Sequence, residues 1–211
     1  GIITTRFLVP SFISTLAIGM VCYSLAQWLS GNRALYMNAE KRDALFGWML
    51  SSTGIIPNTI FVGAGVFIFV LVIERKFVLG RRLKAVGSAE LAAAASGIKV
   101  ARVKVLAFAL SGGLAALAGV IFSIKLSGGA PSIANGFLLP AIVAVLVGGT
   151  PLTGGVGGVV NTLVGTMIVA VIRASMLYLE VDATHQQMVF GLILITAIVF
   201  TIDRSKLTIV K

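Results

Sequence analysis

The sequence is poor in the residues that enzyme chemistry needs: 211 positions hold one cysteine, one histidine and seven acidic residues, and 11% of the chain is charged. With Cys22 alone, an internal disulfide and a thiolate metal cluster are both excluded. His185 has no second histidine, no cysteine and no close carboxylate pair at ligand spacing, so it reads as a satisfied loop histidine rather than a metal ligand. The acids are scattered at the ends of apolar runs and offer no acid/base pair. No Ser/His/Asp or Cys/His set is arranged for nucleophilic catalysis. The chain is therefore expected to be no enzyme and to hold no catalytic, cofactor-binding or metal-binding residues.

What it has in excess is apolar length. Hydrophobic residues make up 58% of the chain and the mean hydropathy is +1.05, more than one soluble core of this size could hide. Lipid must be the solvent. A crossing needs about 20 mostly apolar residues, so the length allows roughly five or six passages with short connections and no separate soluble domain. The formal charge of +10 raises the question of nucleic acid. A nucleic-acid binder carries its cations on a solvated patch, whereas here they punctuate apolar runs, as expected of cationic loops kept on the cytoplasmic side. The chain starts at Gly1 with no methionine and no secretory signal, and is read as a piece of a longer one.

Six apolar runs follow. Run A spans 7–28 with Pro10 suited to a first helical turn. Residues 29–52, with Trp28, Tyr36 and Trp48 beside a charged cluster, read as an exposed interfacial loop. Run B spans 55–73, has Pro57 near its start, and stops at Glu74, Arg75 and Lys76. Residues 75–104 carry eight basic residues against one acid, Glu90, which makes this a cytoplasmic loop. Run C spans 105–124, with Gly112, Gly113 and Gly119 giving a small-residue face for helix packing. The glycine-rich stretch 127–136 leads into run D, 137–147, which at about 11 residues either crosses with help from its flanks or folds back. Run E covers 159–177, and run F covers 188–202 before a basic tail. If A runs outward and every later run crosses, twelve basic residues fall inside and five outside, which fits six crossings. The expected fold is an all-α polytopic membrane protein, a single transmembrane domain over 1–211 with about six hydrophobic runs, D being crossing or re-entrant.

Two constellations stand out. In GRRLKAVGSAELAAAASGIKVARVK, 80–104, Ala92 to Ala95 favour helix and Gly97 is placed to stop it. A stiff helix between two spans transmits a push from a soluble partner. The alternative is an ordinary loop held near anionic lipid by its charge. In LLPAIVAVLVGGTPLTGGVGGVVNTLVG, 138–165, the glycines permit helices to break and backbones to approach closely at membrane depth. They line or gate a path, or they serve helix packing alone. The lysine of a phosphate-cradling loop is absent. Arg173 either snorkels to the interface or faces the bundle as a functional residue, and Asn161 is expected to hydrogen-bond between helices.

Gly80, Arg81, Ala85, Gly87, Ala92, Ala93, Ser96, Gly97 and Ile98 resemble, without gaps, the cytoplasmic loop of sugar-type permeases of bacterial ABC importers, the ribose and related monosaccharide group. Ser88 and Ala89 stand where that family usually has Gly and Asn. The run Ala141, Ile142, Ala144, Val145, Gly148, Gly149 and Thr150, followed by Gly154, Gly155, Gly157 and Gly165, is similar to the same permeases. Asn161 replaces a usual Gly there, Val156 often has a basic counterpart, and Leu138 and Pro140 replace acids of many ribose-type members. Val9, Pro10, Phe12, Ile13, Thr15 and Leu16, and then Gly54, Ile55 and Pro57, continue the likeness, which covers the C-terminal two-thirds of the family's length.

The resemblance implies a permease subunit that forms, with a second copy, a path for a small sugar across the bacterial inner membrane. ABC ATPase subunits would dock on the loop at Gly80, Arg81, Gly87, Glu90, Ala92, Ala93, Ser96, Gly97 and Ile98, and would hydrolyse the ATP. A periplasmic sugar-binding protein would deliver the substrate. Gly148, Gly149, Gly154, Gly155, Gly157, Asn161 and Gly165 would serve the path or the helix packing. Two rivals stand beside this reading. A secondary transporter or channel would normally show intramembrane acids, which the apolar runs lack. A truncated, non-transporting remnant is the other.

Overall fold

Without water, backbone N–H and C=O groups must pair within their own segment, so apolar runs of this length become helices. The computed structural model describes residues 1–7, 9–151 and 154–201. Its elements are α1 (Ile2–Arg6), α2 (Ser11–Ser30), β1 (Leu35–Tyr36), α3 (Ala39–Leu50), β2 (Ser52–Thr53), β3 (Ile56–Pro57), α4 (Thr59–Lys76), α5 (Val78–Ser88), α6 (Glu90–Ala95), α7 (Val100–Lys125), β4 (Gly128–Gly129), a 3₁₀ segment (Pro131–Phe137), α8 (Leu138–Val147), α9 (Val159–Tyr178) and α10 (Ala183–Thr201). Among the described residues three helices, α2, α7 and α9, are long and apolar enough to cross a membrane. The stretches Pro131–Val147 and Thr184–Val199 are shorter apolar helices. Helix α4 has 18 residues, and Arg75 and Lys76 lie in its last turn.

The strands are two-residue ladders. β1 pairs with β4, Leu35 opposite Gly129 and Tyr36 opposite Gly128, and β2 pairs with β3, Ser52 opposite Pro57.

Several local expectations change. The expected loop 29–52 contains α3, because the Asn38 side chain accepts a hydrogen bond from the Glu40 N–H at 3.0 Å and Glu40 sits in the positive first turn. Pro10 stands one residue before α2 and accepts the Ser14 N–H through its carbonyl. Pro57 belongs to the β2–β3 hairpin, and helix α4 starts after it at Thr59. Residues 75–104 hold two short helices instead of one, α5 and α6, separated by extended Ala89. Ile202, the basic tail with Arg204, Lys206 and Lys211, and Leu152 and Thr153 lie outside the described residues.

The chain divides into two compact units. The first comprises Gly1–Val70 and Ala93–Ala134, the second Leu71–Ala92 and Asn135–Lys211. The apolar core belongs to the second, where Val143, Ala144, Val169, Met176 and Phe190 from α8, α9 and α10 cluster. Between lipid-facing helices the hydrophobic effect gives little net drive, so such a cluster is held by close packing. In the first unit, buried Asn58 staples the hairpin that precedes α4. Its Nδ2 donates to the Trp48 carbonyl at 2.7 Å and to Ser51 Oγ at 3.0 Å, while its Oδ1 accepts from Thr53 Oγ1 at 2.6 Å. A buried amide with every polar atom paired fixes a unique local geometry.

Candidate functional site

The basic segment shows how its sequence stops a helix. At the end of α6 the Gly97 N–H donates to the Ala94 carbonyl at 3.0 Å and the Ile98 N–H to the Ala93 carbonyl at 3.1 Å. Gly97 sits at φ +80, the left-handed conformation this double bond demands. Ala93 faces inward and is 6% exposed. Arg81, Gly87, Glu90, Ala92, Ser96 and Gly97 are exposed, Ile98 is half-buried and Gly80 is buried. Leu91, which the sequence pattern did not single out, is 88% exposed and offers an apolar side chain on a short polar-flanked helix.

The glycines of 138–165 divide into two jobs. Helices α8 and α9 approach backbone to backbone: a Cβ at Gly165 would overlap the Ala144 carbonyl oxygen and lie 2.7 Å from the Gly148 nitrogen. A Cβ at Gly148 would overlap the Asn161 carbonyl oxygen. Gly148, Asn161 and Gly165 are therefore brought together as a helix crossing. The Asn161 side chain itself is exposed and makes no hydrogen bond to a described residue, so its contribution here is its main chain. Gly149 follows α8 with open space around it.

The second job is a junction between the two sequence constellations. A Cβ at Gly87 would lie 2.6 Å from the Gly155 nitrogen, and one at Gly155 would lie 2.5 Å from Ser88 Cα. Gly154 and Gly155 have φ of +82 and +79, so two glycines both remove side chains and turn the chain toward Gly87. Gly157 packs against Thr150 in the same segment. Main chain meets main chain here.

Glu74 closes the junction, and sequence reasoning missed it. It lies past the apolar stretch of α4 with its side chain 15% exposed, paired at 2.7 Å with Lys84 Nζ on α5. Its Oε2 accepts the Val159 N–H at 2.8 Å, at the first residue of α9. Helix α9 has Gly158 as N-cap and so no capping side chain of its own; the carboxylate supplies the missing acceptor where the helix N-terminus is positive. Burial pushes the Glu74 carboxyl up, but the hydrogen bonds from Lys84 and Val159 and the charges of Lys84 and Arg75 outweigh it and hold it below the usual carboxylate range. The only sequence signal was an acid standing alone at the start of a basic stretch.

Arg173 of α9 lies over the Phe137 ring at 4.4 Å, a cation–π contact that gives its charge a partner. His185 is exposed, 3.8 Å from Asp182. Among the described residues no group of three or more His, Cys, Asp or Glu could hold a metal ion.

This chain is 35% identical over 207 residues to the ribose import permease protein RbsC of Bacillus subtilis, covering 98% of this chain and 63% of that protein. It is 33% identical over 196 residues to the probable ABC transporter permease protein YphD of Escherichia coli, covering 93% and 58%. The L-arabinose transport system permease protein AraH of Escherichia coli is 30% identical over 211 residues, covering 98% and 61%. The chain thus spans about three-fifths of the length of these relatives. No solved structure matches it. Residues 1–198 match the family described as branched-chain amino acid transport system / permease component, and with its apolar helices the chain belongs to this family of multi-pass membrane permeases.

Proposed function

We propose that this chain is part of the membrane-spanning subunit of an ATP-driven importer and helps form the path for a small sugar across the bacterial inner membrane. The observation that carries the reading is the junction of Gly87–Ser88 with Gly154–Gly155, where a basic surface segment rests directly on the break between α8 and α9. A contact of main-chain atoms has no side chains to absorb displacement. Work delivered to α5 and α6 therefore reaches the helices that would line a path, a coupling through an element with two arrangements. ABC ATPase subunits dock on the surface of Arg81, Glu90, Ala92, Ser96 and Gly97, with exposed Leu91 as an apolar contact, and hydrolyse the ATP. A second copy completes the path, and a periplasmic sugar-binding protein delivers the substrate. The names of the relatives, which point to ribose and L-arabinose, support a monosaccharide.

The test is uptake of labelled ribose and L-arabinose by the full-length chain with its ATPase in sealed vesicles. ATP-dependent uptake of a monosaccharide is expected. Uptake driven by an ion gradient without ATP would replace this reading with a secondary transporter.

A further inference from the structure

The end of α4, Lys84 of α5 and the start of α9 share one carboxylate. Gly80 packs on the Glu74 carbonyl, so the turn from α4 into α5 is an elbow with no slack. The Glu74 side chain leaves that elbow in two directions, to Lys84 at 2.7 Å and to the Val159 N–H at 2.8 Å. Gly158 is pressed against it as well, since a Cβ there would lie 2.7 Å from Oε1. At the far end of α5, Gly87 and Ser88 touch Gly154 and Gly155. The segment 154–159 is therefore held at two points, one steric and one polar. The steric contact only pushes. The hydrogen bond to Val159 also pulls, because separating a partly buried carboxylate from a helix N-terminus breaks a charge-assisted bond.

We propose that Glu74 is a positioning residue that ties the start of α9 to the α4–α5 elbow, so that α5 drags α9 back as well as driving it forward. The proposal rests on the reading that work enters through the basic segment. Lys84 serves Glu74 and not the reverse. Its side chain is 53% exposed while that of Glu74 is 15% exposed, so the lysine balances a charge whose essential partner is the Val159 N–H.

The test uses the full-length chain carrying C22S in vesicles with its ATPase, and the same chain in lipid nanodiscs with spin labels on cysteines placed at Arg82 and Leu163, exposed positions of α5 and α9 outside the junction. The parent should give one narrow label–label distance. E74A should broaden it and lower the sugar moved per ATP hydrolysed by about tenfold, as expected for losing a hydrogen bond to a charged group. K84M should keep the narrow distance and change the ratio less than about threefold, because an exposed ion pair contributes little.

The double variant E74A/G158S separates tying from capping. Removing the carboxylate frees the space beside Gly158, whose φ of 174 any residue can adopt, and the serine caps α9 locally without linking it to the elbow. Thermal stability should recover while the broad distance and the poor coupling persist. Recovery of coupling in E74A/G158S would overturn the proposal, as would a narrow distance in that variant or in E74A. If the parent shows no ATP-driven uptake, the importer reading falls, and the label distances in nanodiscs still decide whether Glu74 holds the two segments together.

Discussion

The glycines at the turns and crossing around α5, α8 and α9 and the glycines inside α2, α4 and α7 are used in opposite ways. In the first set, Gly80, Gly148, Gly155 and Gly165 each stand where a Cβ would collide with main chain. In the second, Gly19, Gly63, Gly65, Gly112, Gly113 and Gly119 lie in α2, α4 and α7, and a Cβ at any of them would have no described atom within 4 Å. The same residue is spent in the first set on contacts already made and left open in the second. Glycine content therefore says nothing about packing until the neighbour is known.

The largest way to break this contrast is G165V. Its side chain has no room beside the Ala144 carbonyl, so α8 and α9 must separate, at a loss of about 3 kcal/mol or more. Thermal unfolding in detergent should show loss of the folded protein. A93D comes next: it buries a carboxylate at a 6% exposed position, and G97D places a side chain at φ +80. Both should uncouple ATP hydrolysis from uptake while membrane insertion, read by fractionation, is retained. Unchanged transport would show that α6 receives no work.

Acid sharpens the comparison from another side. The Glu74 carboxyl lies below its ordinary range, so the ionised form is favoured by folding. That stabilisation is complete above the ordinary carboxylate value and is lost as pH falls through the lowered one. The groups facing it are Lys84, Arg75 and the Val159 N–H. The 82-to-163 label distance should broaden on acidification in the parent and stay unchanged in E74A. The smallest effect is expected for G113A, which should be neutral or stabilise α7 by up to about 1 kcal/mol, since alanine is the better helix former where space is open. Clear destabilisation by G113A would place a neighbour on that face.

Helix positions were largely legible because lipid leaves apolar runs no other structure. Run 159–177 coincides with α9 (Val159–Tyr178) to within one residue, marked by glycines before it and polar residues after it. α3 was hidden because Glu40, Lys41, Arg42 and Asp43 read as loop, while the capping Asn38 that makes a helix of them is a local signal easily passed over. The glycine pattern of 138–165 announced close approach, but not to what; Ala144 and Ser88 become visible as partners only in three dimensions. Glu74 was illegible for the same reason, since nothing local links it to Val159, 85 positions away.

The Asn58 staple has a consequence for biosynthesis. All of its bonds fall between Trp48 and Asn58, so the hairpin closes as soon as that short stretch has been made. Glu74 must instead wait for Val159 to leave the ribosome. A nascent chain that has already set this hairpin thus carries a half-finished elbow through the synthesis of the next 85 residues.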